Sequence, residues 1–130
     1  MRFYIASSFA NKANVRYVST ALQESGFVHT YDWTENERAV DVSTLKRIGR
    51  IEKQAVADSE LFIMMLPAGK GSHIELGMAI ALHKQIFIYA ADEITPAHAS
   101  TFYYIDGVTH VNGEIDDFIE NIKNLKRKRI

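Results

Sequence analysis

Short apolar runs alternate along this chain with longer segments whose apolar residues recur every third or fourth position, a pattern that predicts strands and helices in turn. Phe3-Tyr4-Ile5-Ala6 is the first run; the polar turn Ser7-Ser8-Phe9-Ala10-Asn11 follows, then Val15, Val18, Ala21 and Leu22 at helical spacing, with a stop at Gly26. Phe27 to Trp33 predicts a second strand, and Thr34-Glu35-Asn36-Glu37-Arg38 a loop. From Asp41, a residue suited to cap a helix, Leu45, Ile48, Ile51 and Ala55 mark an amphipathic helix that runs to about Asp58. Leu61 to Leu66 has no polar interruption, as expected of a central strand covered on both faces. Pro67-Ala68-Gly69-Lys70-Gly71 predicts a turn, Ser72 to His83 a helix and Gln85 to Ala90 a fourth strand. Thr95-Pro96 opens a short helix to about Tyr103, Val108 to Val111 predicts a fifth, edge strand, and Ile115, Phe118, Ile119, Ile122 and Leu125 form one face of a last helix. Five strands alternating with five helices predict an α/β fold, a five-stranded parallel sheet sandwiched by helices.

Composition narrows the partners. At 130 residues, 47% hydrophobic and 24% charged, the chain has the size and balance of one globular domain, so residues 1–130 read as a single unit without repeats or linkers. Fifteen Lys and Arg against sixteen Asp and Glu leave a charge of -1, which supplies no field for nucleic acid. The basic run Lys126-Arg127-Lys128-Arg129 reads as a solvated helix end complementing its own dipole. Cysteine is absent, which excludes disulfides, thiolate metal sites and Cys nucleophiles and suits a reducing cytosol. No apolar run approaches the ~20 residues that cross a bilayer, so no membrane partner is expected and the chain reads as cytoplasmic. His29, His83, His98 and His110 show no metal-ligand spacing, so neither a metal nor a cofactor is expected.

Ligands of open parallel sheets bind beyond the carboxyl ends of the strands, where strand order reverses. That directs attention to the turns after the first and third strands, Ala6-Ser7-Ser8-Phe9 and Pro67 through Gly77. The second turn is not a Walker loop, because Lys70 is not followed by Ser or Thr, and not a GxGxxG, because position 74 is Ile. Small residues opening a helix still leave backbone N–H groups free for a phosphate or a sugar hydroxyl. Glu75 has two readings. Ser72-x-x-Glu75 has the spacing of a capping box, in which Glu75 merely reaches back to the Ser72 N–H. Its place in a first helical turn at the crevice, where the helix dipole favours the anion, fits instead the nucleophile of glycosyl transfer. Trp33, at the crevice edge, can stack on a base or serve as a lid or core aromatic. His73 adjoins Glu75 in sequence but lies off its helical face.

Three stretches carry a resemblance to a known family: Arg2-Phe3-Tyr4-Ile5-Ala6-Ser7, Ala57-Asp58-Ser59-Glu60-Leu61-Phe62-Ile63, and Gly69-Lys70-Gly71-Ser72-His73-Ile74-Glu75-Leu76-Gly77-Met78-Ala79. In these motifs and their order the chain resembles the nucleoside 2-deoxyribosyltransferase superfamily, which includes deoxynucleoside monophosphate N-glycosidases. The resemblance implies a flavodoxin-like (Rossmann-like) fold over nearly the whole chain. It implies cleavage or transfer of the N-glycosidic bond of a 2′-deoxynucleoside or its 5′-monophosphate through a covalent glutamyl-deoxyribosyl intermediate.

The resemblance further implies Glu75 as nucleophile, Asp58 as the acid that protonates or hydrogen-bonds the departing base, and Tyr4 as the group orienting Glu75. On their own residues, Asp58 can simply end its helix and Tyr4 can be an ordinary strand aromatic. Several family members carry an additional Asp before the nucleophile, where this chain has Gly69 and Lys70. Lys70 and Ser72 of the Gly69–Gly71 turn, with Ser7 and Ser8 of the first turn, suit a 5′-phosphate, so the expected partner is a small-molecule nucleoside or nucleotide. The family completes its sites across a subunit interface, which implies a homodimer or larger homo-oligomer. Ala99-Ser100-Thr101-Phe102-Tyr103-Tyr104 has a composition suited to that contact, or to packing on its own sheet. The competing expectation is a non-catalytic nucleotide-binding or sensor protein with the same fold.

Overall fold

The computed structural model describes residues 1–128. Five parallel strands, β1 (Arg2–Ala6), β2 (Val28–His29), β3 (Leu61–Met65), β4 (Gln85–Ala90) and β5 (Val108–Asn112), form one sheet in the order β2-β1-β3-β4-β5. Four helices flank it: α1 (Lys12–Glu24), α2 (Val42–Asp58), α3 (Lys70–Ala81) and α4 (Ile115–Lys128). α1 packs with α4 and α2 with α3. The strand order reverses between β1 and β3, so the crevice above their carboxyl ends is the ligand position this topology offers. Among the described residues no helix is long and apolar enough to cross a membrane. The expectation for the terminal basic run falls largely outside the described residues; Lys126 itself donates from Nζ to the Ser25 carbonyl at 3.1 Å.

The uninterrupted apolar run marks the sheet centre. All of Leu61–Met65 is buried, beside buried Phe3–Ala6 and Ile86–Ala90. Each large side chain taken fully from water there contributes about 1.5–3 kcal/mol, which anchors the strand ends that build the crevice. Asp41 caps α2 as its residue type suggests, accepting from the Thr44 N–H at 2.8 Å.

Three elements differ from the sequence pattern. β2 is two residues long because the chain turns inward after His29: the Thr30 N–H reaches the Phe3 carbonyl, and Trp33 opens a 3-10 turn, Trp33–Glu35, with its indole buried. The short helix near residue 100 resolves into separate 3-10 turns, Pro96–His98 and Thr101–Tyr103, the second capped by Ser100. α3 begins at Lys70 rather than Ser72, with extended Gly69 as its N-cap and the Gly69 N–H donating to Ser72 Oγ at 3.3 Å. That start overturns the Ser72–Glu75 capping box, because it places Glu75 in the second turn, beyond the free N–H groups of the helix start.

Candidate active site

Tyr4 organises the crevice. Its ring is fully buried in β1, stacked 6.0 Å from Phe62, and its hydroxyl emerges between α2 and α3. There it donates to Glu75 Oε2 at 2.7 Å and lies 3.2 Å from Glu52 Oε2. A phenol carries one proton, so it satisfies both carboxyls at once only if one of them is protonated and donates to the phenol oxygen. Two carboxyls sharing one proton beside the Tyr4 hydroxyl is therefore the arrangement the geometry favours.

The electrostatics agree in direction. Burial, reinforced by the Glu52 charge, pushes Glu75 up to about 8 against the opposing effect of the Tyr4 hydrogen bond. Burial also raises Glu52, again opposed by Tyr4. Tyr4 is raised by burial and then by the two carboxylates, so it stays protonated at neutral pH. The expectation that the helix dipole holds Glu75 ionised is thus corrected: desolvation outweighs a dipole that acts only within the first turn.

The crevice, about 250 Å³, is lined by Ser7, Ser8, Phe9, Trp33, Glu52, Gly69, Gly71, Ser72 and Glu75. It adjoins a groove of about 680 Å³ that shares Phe9, Trp33, Glu52 and Gly71 and adds Leu45, Ile48, Asn36 and Arg38. Ser7 Oγ lies 2.8 Å from the Met65 carbonyl and accepts from Asn11 Nδ2 at 3.0 Å, tying the first turn to the end of β3. Ser8 Oγ caps the Phe9–Asn11 turn by accepting from the Ala10 N–H, so both serines also serve the backbone. Trp33 spends its indole N–H on the Ile5 carbonyl at 2.6 Å and therefore offers the crevice only its ring, 6.0 Å from Phe9. The two rings, in contact with each other, give a planar apolar group a surface to pack against.

Two candidates fall elsewhere. Lys70, the first residue of α3, is exposed and does not line the crevice. Asp58 ends α2, exposed and accepting from Gln54 Nε2 at 2.9 Å. It stands six residues beyond Glu52, about 9 Å along the axis at 1.5 Å per residue, toward the end of the sheet where β3 begins. That placement sets Asp58 away from the crevice to which the sequence motifs assigned it, and Glu52 is the carboxyl brought to Glu75 and Tyr4. Glu52 went unnoticed in the sequence, although it left a signal: an acid on the inward stripe of α2, beside Ile48, Ile51 and Ala55, is a polar residue where only apolar ones serve packing.

No family model and no curated protein matches the chain. Among solved structures, it superposes on CMP N-glycosidase BcmB of Clostridium botulinum with a TM-score of 0.69 and 17% identity, over 94% of this chain and 98% of that one. It superposes on a conserved protein from Enterococcus faecalis V583 with a TM-score of 0.63 and 17% identity, over 95% and 98%. These likenesses show the fold, the five-stranded parallel α/β sandwich that the sequence pattern predicts.

Proposed function

We propose that this chain cleaves or exchanges the N-glycosidic bond of a small nucleoside or nucleotide, with Glu75 as the nucleophile and Glu52 as the acid. The spacing of the two carboxyls carries the reading. Oxygens bridged by one hydroxyl stand at most about 6 Å apart, near the ~5–5.5 Å of retaining glycosidases and short of the ~6.5–9.5 Å of inverting ones, which must seat a water between the pair. The relation to the CMP N-glycosidase fold supports the same class.

The shared proton dictates the sequence of events. In the reacting state Tyr4 donates to Glu75 and the carboxyl proton rests on Glu52, which donates it to the phenol oxygen, so Glu75 is the anion and Glu52 the acid. Glu75 attacks the anomeric carbon, the bond to the base nitrogen breaks, and Glu52 donates its proton to the departing base. Glu52, now a carboxylate, removes a proton from the water or acceptor base that opens the glycosyl ester, and Glu75 returns as a carboxylate. The sugar occupies the pocket above Glu75 and the Gly69–Ser72 turn, and the base the wider groove against Phe9 and Trp33. The substrate we infer is a 2′-deoxynucleoside or its 5′-monophosphate, processed in the cytoplasm.

A homodimer belongs to the same reading. Ile74 and Leu82, on and just beyond α3, are 63% and 51% exposed although α3 carries the nucleophile, and an apolar face left bare there suits a second copy. Light scattering at micromolar concentration tests the assembly.

Incubation with the common 2′-deoxynucleosides, their 5′-monophosphates and CMP, followed by chromatography, is expected to show released base. Acid-quenched protein is expected to carry a pentosyl mass on the peptide containing Glu75. Base release with no adduct, and with inversion at the anomeric carbon, would overturn the covalent mechanism; tight binding without release would turn the reading to a sensor.

A further inference from the structure

The wall of the crevice that faces the sugar runs from Gly69 to Gly71, two glycines at the start of α3, where Ser72 Oγ accepts from the Gly69 N–H at 3.3 Å and the Gly69 carbonyl takes only the long helical bond from the His73 N–H at 3.2 Å. Glycine backbone is the costliest to order, so such a turn is held from outside or drifts. His73 supplies a hold from behind. Its Nδ1 lies 2.7 Å from the Gly69 carbonyl, and its Nε2 lies 2.7 Å from the Tyr103 hydroxyl.

A carbonyl oxygen only accepts, so Nδ1 must carry a proton, and the bare Nε2 of neutral imidazole must then receive one. The Tyr103 hydroxyl is the donor placed to do so. Burial keeps that phenol protonated at neutral pH. Tyr103 is itself anchored: it is 5% exposed, its turn is capped by Ser100, and its carbonyl receives His110 Nε2 from β5 at 2.5 Å. One chain of hydrogen bonds thus runs from the edge strand to the N-cap of the helix that carries Glu75.

We propose that Tyr103 and His73 are positioning residues: the Tyr103 hydroxyl selects the Nδ1–H tautomer of His73, which fixes the Gly69 carbonyl and with it the turn that receives the sugar. This rests on the crevice being the glycosidase site. Without the hydroxyl the His73 ring is held on one nitrogen only, so it turns away from the Gly69 carbonyl, its proton redistributes between Nδ1 and Nε2 in water, and the turn loses that anchor. Neither residue touches the reacting atoms, so the defect appears in substrate binding more than in chemistry.

Tyr103→Phe removes the hydroxyl and keeps the ring. Nitrogen-15 NMR of the wild-type protein near pH 7.5 is expected to show His73 with a protonated Nδ1 and an unprotonated Nε2, and Tyr103→Phe is expected to lose that signature. Its KM for whichever of the tested nucleosides or nucleotides the wild type cleaves is expected to rise about tenfold, the scale of one lost hydrogen bond, with kcat little changed. A wild-type Nε2–H tautomer, an unaltered tautomer in the variant, or an altered tautomer with unaltered KM would each overturn the proposal. An inert wild-type protein would instead refute the glycosidase reading and this proposal with it, whereas an active wild type with an indifferent Tyr103→Phe refutes the proposal alone.

Discussion

α3 and α4 are helices of similar length on the same sheet, yet they spend their residues in opposite ways. α4 buries Phe118, Ile119 and Ile122 and turns Asp116, Asp117, Glu120 and Lys123 away from that core. α3 buries Leu76 and Ala79 but also Ser72, sends Glu75 into the crevice, and leaves Ile74 exposed. Packing alone explains α4. It does not explain α3, where an acid faces inward and an aliphatic residue faces solvent, a reversal that costs stability and that the proposed chemistry and contact would account for.

The sharpest way to break this contrast is Glu75→Gln. Base release is expected to fall by about four orders of magnitude or more, as when nucleophiles are removed elsewhere, with the circular dichroism spectrum unchanged; a folded variant with wild-type turnover would end the reading of α3. Glu52→Gln is expected to lower the rate roughly 100- to 10,000-fold, most for the poorest leaving groups, in a series of bases of graded acidity. On α4 the expected loss is of another kind: Phe118→Ala should cost about 3–5 kcal/mol in a denaturant titration while the protein that remains folded keeps its kcat.

Acidity sharpens the comparison further. Glu75 is held up to about 8 against 4.5 for an unperturbed side chain, so the folded state favours its neutral form. Its contribution to stability is full below about pH 4.5 and is lost as pH rises through about 8, a fall of roughly a few kcal/mol that Glu75→Gln is expected to flatten. Denaturant titrations across that range measure the slope. The smallest effect is expected at Asp58→Asn, with turnover within about twofold of wild type, because the side chain lies in solvent away from the crevice.

Much of the fold was legible in the chain. Periodicity is a local property, so the central strand Leu61–Met65, the capped start of α2 at Asp41 and the inward face of α4 could be read directly, and the glycine-rich turn with Glu75 pointed to the strand end where the crevice lies. The length of β2 was not legible, because the inward turn of Trp33 depends on the Ile5 carbonyl across the sheet. Nor was the start of α3, where Gly69 rather than Ser72 took the cap. Above all, spacing could not choose between Glu52 and Asp58, two acids on one helix with comparable local surroundings. Tyr4 lies 48 residues before Glu52 and 71 before Glu75, so their meeting is made by strand pairing and helix packing. Sequence alone determined which residues repeat and which acid follows the third strand; tertiary structure decided which second acid faces it, because burial and a shared proton exist only once distant segments have excluded the water between them.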